Sequence, residues 1–355
     1  MDRVVVSAPG KLVLFGEYAV LFGAPAVVAA IDRRAVVTLQ RERSDRWVVS
    51  APGLAEQPAR FQVAAGGTVR WDDEQFGSGT FGLVEKLFGA IDRRNPGVLE
   101  TSPTGVLSLD TSAFFDGQGG APSKLGLGSS AALTVALASA LEIWSGSAWS
   151  ENAEQRLDQL VTIHREIQGG AGSGLDVAAS LLGGVLRFQL ADDGSVTVAA
   201  PVSLPERLRM VFVWTGRAAS TGDFLARLRE CREARKVEID AVLDLLSTIS
   251  SAGVDAMVAG DYHAFLGHVD SFWNALEKLG AMIEMPVLSE EHQRLRGLAE
   301  GCGVHYKPSG AGGGDFGIGF ASDRAAALDF AGGAASEGFR AIDLRVDSIG
   351  VDPSM

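Results

Sequence analysis

The stretch Lys124-Leu-Gly-Leu-Gly-Ser-Ser-Ala-Ala132 decides how this chain is read. Gly126 and Gly128 permit a tight turn and keep side chains out of a ligand's way. Ser129 and Ser130 set hydroxyls at a helix start, and Leu133, Leu137 and Leu141 continue that helix at i, i+4, i+8 spacing. The unpaired N–H groups and positive dipole end of such a helix favour an anion, above all a phosphate. The loop is not a Walker A motif, because Gly-x4-Gly-Lys-Ser/Thr is absent, and it lacks the third glycine of a dinucleotide fingerprint. Taken alone it competes with a flexible turn capped by serine.

The rest of the chain narrows the class. Its 355 residues predict two domains, 1–203 and 204–355, parted at Pro201–Pro205. With 46% hydrophobic and 21% charged residues it reads as ordinary soluble globular protein. A net charge of −13 argues against nucleic acid as a partner but not against a phosphorylated small molecule, because a few cations in a cleft outweigh a distant surface. Cys231 and Cys302 lie far apart, so neither a disulfide framework nor a zinc site is expected and a reducing, cytoplasmic setting fits. The longest apolar stretch, residues 19–31, is shorter than a membrane span and is broken by Gly23 and Pro25, so no membrane partner is expected. The sequence leaves oligomeric state open, with a homodimer allowed.

Strands are predicted over 4–8, 11–15, 25–30, 34–39, 105–110, 185–190, 210–214 and 341–346. Helices are predicted over about 77–94, 151–168, 221–250, 253–258, 261–280, 289–301 and 322–337, with a short one starting at Leu175 or Asp176. The 44 glycines cluster at 117–128, 169–174 and 310–319, each time beside Ser, Asp or Lys.

Four further constellations carry chemistry. Lys11, after Pro9-Gly10 and between two extended pieces, is held in place, and a fixed ammonium suits the charge that develops in phosphoryl transfer. The block Gln168-Gly-Gly-Ala-Gly-Ser-Gly-Leu-Asp176 puts a carboxylate just after a bare-backbone loop, as a base, as a metal-linked group or as a plain first-turn Asp. Lys307-Pro-Ser-Gly-Ala-Gly-Gly-Gly-Asp315 offers N–H donors that can cover a phosphate. Trp214-Thr-Gly-Arg-Ala-Ala-Ser-Thr221 ends a strand and opens a helix, as a second anion site or a simple N-cap. His164, on an apolar helix face, reads as a hydrogen-bonded core residue.

Together these residues resemble the GHMP kinase superfamily. Its three motifs stand in order as Pro9-Gly10-Lys11 with Gly16-Glu17, Gly126-Leu-Gly-Ser-Ser-Ala131 and Ser309-Gly-Ala-Gly-Gly-Gly314. Lys124-Leu-Gly-Leu-Gly-Ser-Ser, Gly172-Ser-Gly-Leu-Asp176 and Tyr18, where the mevalonate branch usually carries His, are most similar to the branch whose acceptor is 5-phosphomevalonate. Leu125 and Phe316 depart from it, at positions where an aromatic and a Cys are frequent. The resemblance implies an α+β fold, a ribosomal-S5-like N-terminal domain that binds ATP and a ferredoxin-like C-terminal domain. It implies ATP and Mg²⁺ as cofactors and a small phosphorylated substrate; mevalonate as acceptor, or a silent ATP sensor, are the alternatives. By the same resemblance Lys11 and Asp176 are catalytic, with Asp176 holding Lys11. Lys124, Gly126, Leu127, Gly128, Ser129, Ser130 and Ala131 hold ATP phosphates. Ser173, Gly174, Arg217, Ser220, Thr221, Lys307, Ser309, Gly310, Ala311, Gly312 and Gly313 meet the substrate. Mg²⁺ falls to Ser129 or Ser130, and more weakly to Glu166, whose spacing is off by about one residue.

Overall fold

Dense β-branched and small apolar residues drive the first forty residues into two long paired strands, β1 (Arg3–Phe15) and β2 (Ala26–Arg41). Each merges two predicted pieces, since β1 passes through Pro9-Gly10 with a register shift rather than a break. The computed structural model describes residues 2–53, 55–76, 81–116, 123–146, 152–170 and 172–354. The glycine-rich segment 117–122 and Ala171 lie outside them.

Three short strands follow, β3 (Trp47–Ser50), β4 (Ala59–Ala64) and β5 (Thr68–Trp71), then the helices α1 (Gly82–Arg94) and α2 (Val98–Thr101). Next come β6 (Gly105–Asp110), the two-residue pair β7 (Phe115–Asp116) and β8 (Ser123–Lys124), and helix α3 (Ser129–Ser145). Helices α4 (Ala153–Ile167) and α5 (Leu175–Leu182) lead to the hairpin β9 (Val185–Leu190) and β10 (Val196–Pro201). The second half runs β11 (Arg209–Trp214), α6 (Thr221–Ala234), α7 (Lys236–Val258), α8 (Tyr262–Ile283) and α9 (Glu290–Gly301). It ends with β12 (His305–Pro308), β13 (Phe316–Ala321), α10 (Arg324–Ser336), β14 (Arg340–Ala341) and β15 (Asp352–Ser354).

These elements make an α+β molecule with two main sheets. One runs β10-β9-β2-β6-β3-β4-β5, with β1 beside β2; the other runs β12-β13-β11-β14. The second sheet begins at β11, a few residues past the expected parting at 203/204. The chain then returns to its start, because β15 pairs with β1. Strands β1 and β2 are apolar on both faces because each face meets a different core. Val4, Val6, Val13 and Val28 join the core under α3, α4 and α5, while Leu12, Leu14, Phe15 and Val27 join the core formed with α7 and α8.

Two local choices position the site. Helix α3 buries Ala131, Ala132, Ala136, Ala138 and Ala140, and these small side chains let its first turn approach β1 closely. Gly253 sits inside α7, where a Cβ would meet the Phe15 ring, and does not open a separate helix. The helical break falls at Arg235 instead of near residue 251. Helix α7 is the one described helix long and apolar enough to cross a membrane. Its residues Ile239, Leu243, Leu246, Val254 and Met257 are buried in the core with α8.

Candidate active site

The glycine loop lies against β1 from its backbone outward. Lys11 N–H donates to Leu127 O at 2.9 Å, and the Lys11 side chain runs along Gly128, where an added Cβ would stand 3.0 Å from Lys11 Cγ. Gly128 takes φ +79°, a conformation that favours glycine, and opens α3 without any side-chain cap. Ser129 and Ser130 therefore spend no hydroxyl on capping, which removes the capped-turn alternative.

From the far sheet, the loop before β13 closes on the same spot. The Asp315 carboxylate occupies the space beside Gly126, well inside contact distance of where a Cβ would be. Its Oδ1 accepts from Ala219 N–H at 3.1 Å, and its backbone N–H donates to Arg217 O at 2.8 Å. Burial pushes the Asp315 carboxyl up, while the Ala219 N–H and the charges of Lys11 and Lys124 pull it back. Asp315 was quoted in a motif but given no role from sequence. Its position, at φ +55° between two glycine loops, makes it the point where they meet.

Helices α4 and α5 supply the third part. Asp176 lies in the first turn of α5, after Gly174 at φ +86°, whose missing side chain makes room for Val161. The preceding loop is braced by Arg165, which donates to the carbonyls of Gly172, Ser173 and Gly194 at 3.0, 2.8 and 2.8 Å. Sequence reading missed Arg165. His164 is the buried, hydrogen-bonded residue expected from sequence, with Nε2 3.4 Å from Ser130 Oγ and Nδ1 4.0 Å from Asp176 Oδ1, partners the sequence did not indicate. The spacing of His164 and Asp176 offered no signal, because Ser130 reaches them through the fold.

Several expectations need correction. Lys307 does not face a substrate. Its ammonium is fully buried, 2.5 Å from Glu17 Oε1 and 2.7 Å from Pro308 O. Glu166 is engaged at the surface by Arg93 at 2.5 Å and Arg94 at 3.9 Å, so its carboxylate is spent on these arginines and not held for a metal. The Ser309 hydroxyl is spent on Val13 O at 2.9 Å. Ser220 caps α6 by accepting from Asp223 N–H at 3.4 Å, and Thr221 follows it, exposed. Among the described residues Lys11 makes no ion pair within 4 Å, so the expected grip of Asp176 on Lys11 is replaced by the field of Asp315.

Other predicted residues hold the cleft walls. Tyr18 O–H donates to Ala311 O at 2.6 Å, which ties Gly310 and Ala311 to the 16–18 turn. Gly312 packs against Val287 and Gly313 against the Phe224 ring. Arg217 is mostly exposed, its guanidinium 3.6 Å from Glu291, and the Ser173 hydroxyl accepts from Leu175 N–H at 3.3 Å.

Among the described residues no group of three or more His, Cys, Asp or Glu is arranged to hold a metal ion. Mg²⁺ usually keeps waters and binds through one or two carboxylates plus substrate phosphates. A serine hydroxyl with Asp176 nearby fits an ion that arrives on a nucleotide, and not a self-sufficient protein cage.

Residues 104–184 match the family model described as GHMP kinases N terminal domain. A phosphomevalonate kinase of Streptomyces sp. (strain CL190) is 29% identical over 340 residues, covering 89% of each chain. A mevalonate kinase of Thermococcus sibiricus is 29% identical over 260 residues, 72% of this chain and 71% of its own. The structure of Streptococcus pneumoniae phosphomevalonate kinase in complex with phosphomevalonate and AMPPNP matches with TM-score 0.74 at 17% identity, over 98% of this chain and 100% of that one. By its fold and its matched segment the chain is similar to the GHMP kinases, which are ATP-dependent small-molecule kinases. Its relatives are mevalonate and phosphomevalonate kinases, which leaves the acceptor to be argued from the site.

Proposed function

We propose that the chain transfers the γ-phosphoryl group of ATP to the phosphate of 5-phosphomevalonate, giving ADP and 5-diphosphomevalonate. The observation that carries this reading is a pair of uncommitted lysines. Lys11 and Lys124 both lie within the field of Asp315 beside the glycine loop, and among the described residues neither has a carboxylate at ion-pair distance. A cleft that takes ATP and a second phosphorylated ligand needs more cations than ATP alone requires. The Streptomyces relative, similar over nearly the whole chain, supports the same choice.

In this reading the ATP phosphates lie on residues 126–131, with Lys124 at the rim toward the acceptor's phosphate. Lys11 offsets charge on the transferring phosphoryl group. Ser129, Ser130 and Asp176 would hold Mg²⁺, which when bound neutralises phosphate charge. Ser173, Gly174, Arg217, Thr221 and the 309–313 backbone line the acceptor side. A phosphomonoester has a second pKa of about 6 and is mostly dianionic at pH 7, so Asp176 orients the acceptor and need not deprotonate it. The second reading, transfer to the alcohol of mevalonate, draws on the Thermococcus relative. Phosphorus NMR of the products separates the two. Diphosphate coupling on the acceptor product supports the proposal, and a lone new monoester signal overturns it.

A further inference from the structure

The two buried histidines of this chain are held in opposite ways. His292 anchors its Nε2 on a backbone carbonyl, Gly314 O at 3.0 Å, and its Nδ1 on Tyr306 O–H at 2.8 Å, an arrangement that fixes a loop. His164 instead turns both nitrogens toward side chains of the cleft. Gln168 Nε2 donates to Ser130 Oγ at 3.1 Å and also stands 3.5 Å from His164 Nε2. His164 Nε2 thus faces two groups able to donate, the Ser130 hydroxyl and the Gln168 amide, and the tautomer that satisfies both is the one in which it accepts. The proton is left on Nδ1, which faces Asp176 Oδ1 at 4.0 Å.

We propose that His164 is a positioning residue that couples Ser130, on the nucleotide side of the cleft, to Asp176, on the acceptor side. By accepting a hydrogen bond from the Ser130 hydroxyl it leaves the one oxygen lone pair not taken by Gln168 to face a cation carried on ATP. Through Nδ1–H it holds one carboxylate oxygen and leaves the other for the acceptor or the ion. The 4.0 Å separation is an unliganded distance, and such contacts tighten when substrates order the site. Outer groups of this kind set ligand orientation without touching the reacting atoms. The inference rests on the reading of this cleft as an ATP-dependent kinase site and is independent of which acceptor it takes.

The test uses the full chain and three substitutions. His164→Gln keeps a polar group near the Nε2 position, His164→Asn keeps one near Nδ1, and His164→Leu removes both. Mn²⁺ affinity is measured with a non-hydrolysable ATP analogue and no acceptor, beside kcat, both KM values and thermal unfolding. His164→Leu should weaken Mn²⁺–nucleotide binding about tenfold and lower kcat by about 10–100-fold. His164→Gln should retain the Mn²⁺ affinity while losing kcat, and His164→Asn should retain acceptor KM while losing Mn²⁺ affinity. Equal losses in all three variants, following the folded fraction, or a folded His164→Leu protein with wild-type Mn²⁺ affinity and kcat, would overturn the proposal. Because the Mn²⁺ measurement contains no acceptor, its failure is distinct from a wrong acceptor.

Discussion

At the residue scale, the buried pair Lys307–Glu17 shows how a motif residue can serve structure. Lys307 is fully buried and donates also to Leu14 O, at 3.3 Å. Burial pushes the Lys307 ammonium down and the Glu17 carboxyl up, and each partner's charge opposes this. The pair fastens the 307–311 loop to the 16–18 turn, across the two sheets. Lys307→Met strands a buried carboxylate and should cost about 3–5 kcal/mol, whereas joining it to Glu17→Leu should recover most of that. Urea unfolding of the two variants checks this, and equal stabilities would count against the latch. Lys124, exposed at the cleft rim, should behave otherwise. Lys124→Gln should raise KM for the phosphorylated acceptor about tenfold and leave stability unchanged, since a charged hydrogen bond is worth about 1.5–3 kcal/mol. Steady-state kinetics with each substrate varied separate this from an effect on ATP. The phosphate loop at 126–130 was legible in sequence because its chemistry is local: two glycines, two serines and a helix start are chain neighbours. The burial of Lys307 and the partner of His164 were not, because Glu17 and Ser130 come from distant parts of the chain.

At the element scale, periodicity found the helices but not all of their breaks. The helix start expected at Gly253 does not occur: the residue lies within α7, where its missing side chain admits the Phe15 ring. Arg235, with no glycine or proline near it, ends α6 while its guanidinium binds Met282 O. The break coincides with this contact to α8, which composition does not signal. The link between α9 and the glycine loop before β13 gives a pH-dependent expectation. Burial lowers the pKa of His292 from 6.5 to about 4, against the Gly314 carbonyl hydrogen bond and the charge of Glu291, which raise it. The neutral ring is favoured in the fold and the unfolded chain takes the proton more readily. This contribution is therefore complete above pH 6.5 and is lost as pH falls from 6.5 toward 4. It amounts to about 3 kcal/mol across that window. Unfolding free energies of wild type and His292→Gln should converge as pH falls through this range, and a constant difference would refute the assignment.

At the scale of the whole molecule, β1 is the shared wall. It carries Lys11, lies under the first turn of α3, receives the 307–311 loop from the second sheet and pairs with the chain's last strand, β15. Three glycine-bearing loops from separate parts of the sequence thereby meet in one cleft. The order of the motifs made the kinase fold readable. The choice of acceptor was less so, because it turns on where a few charges point. That choice is tested most directly by kcat/KM for 5-phosphomevalonate and for mevalonate, measured side by side with Mg²⁺-ATP. A cleft built around a second phosphate leaves its cations unpaired when that phosphate is missing, so the account predicts a preference for phosphomevalonate of about 10⁴-fold. Equal turnover of the two, or faster turnover of mevalonate, would contradict it.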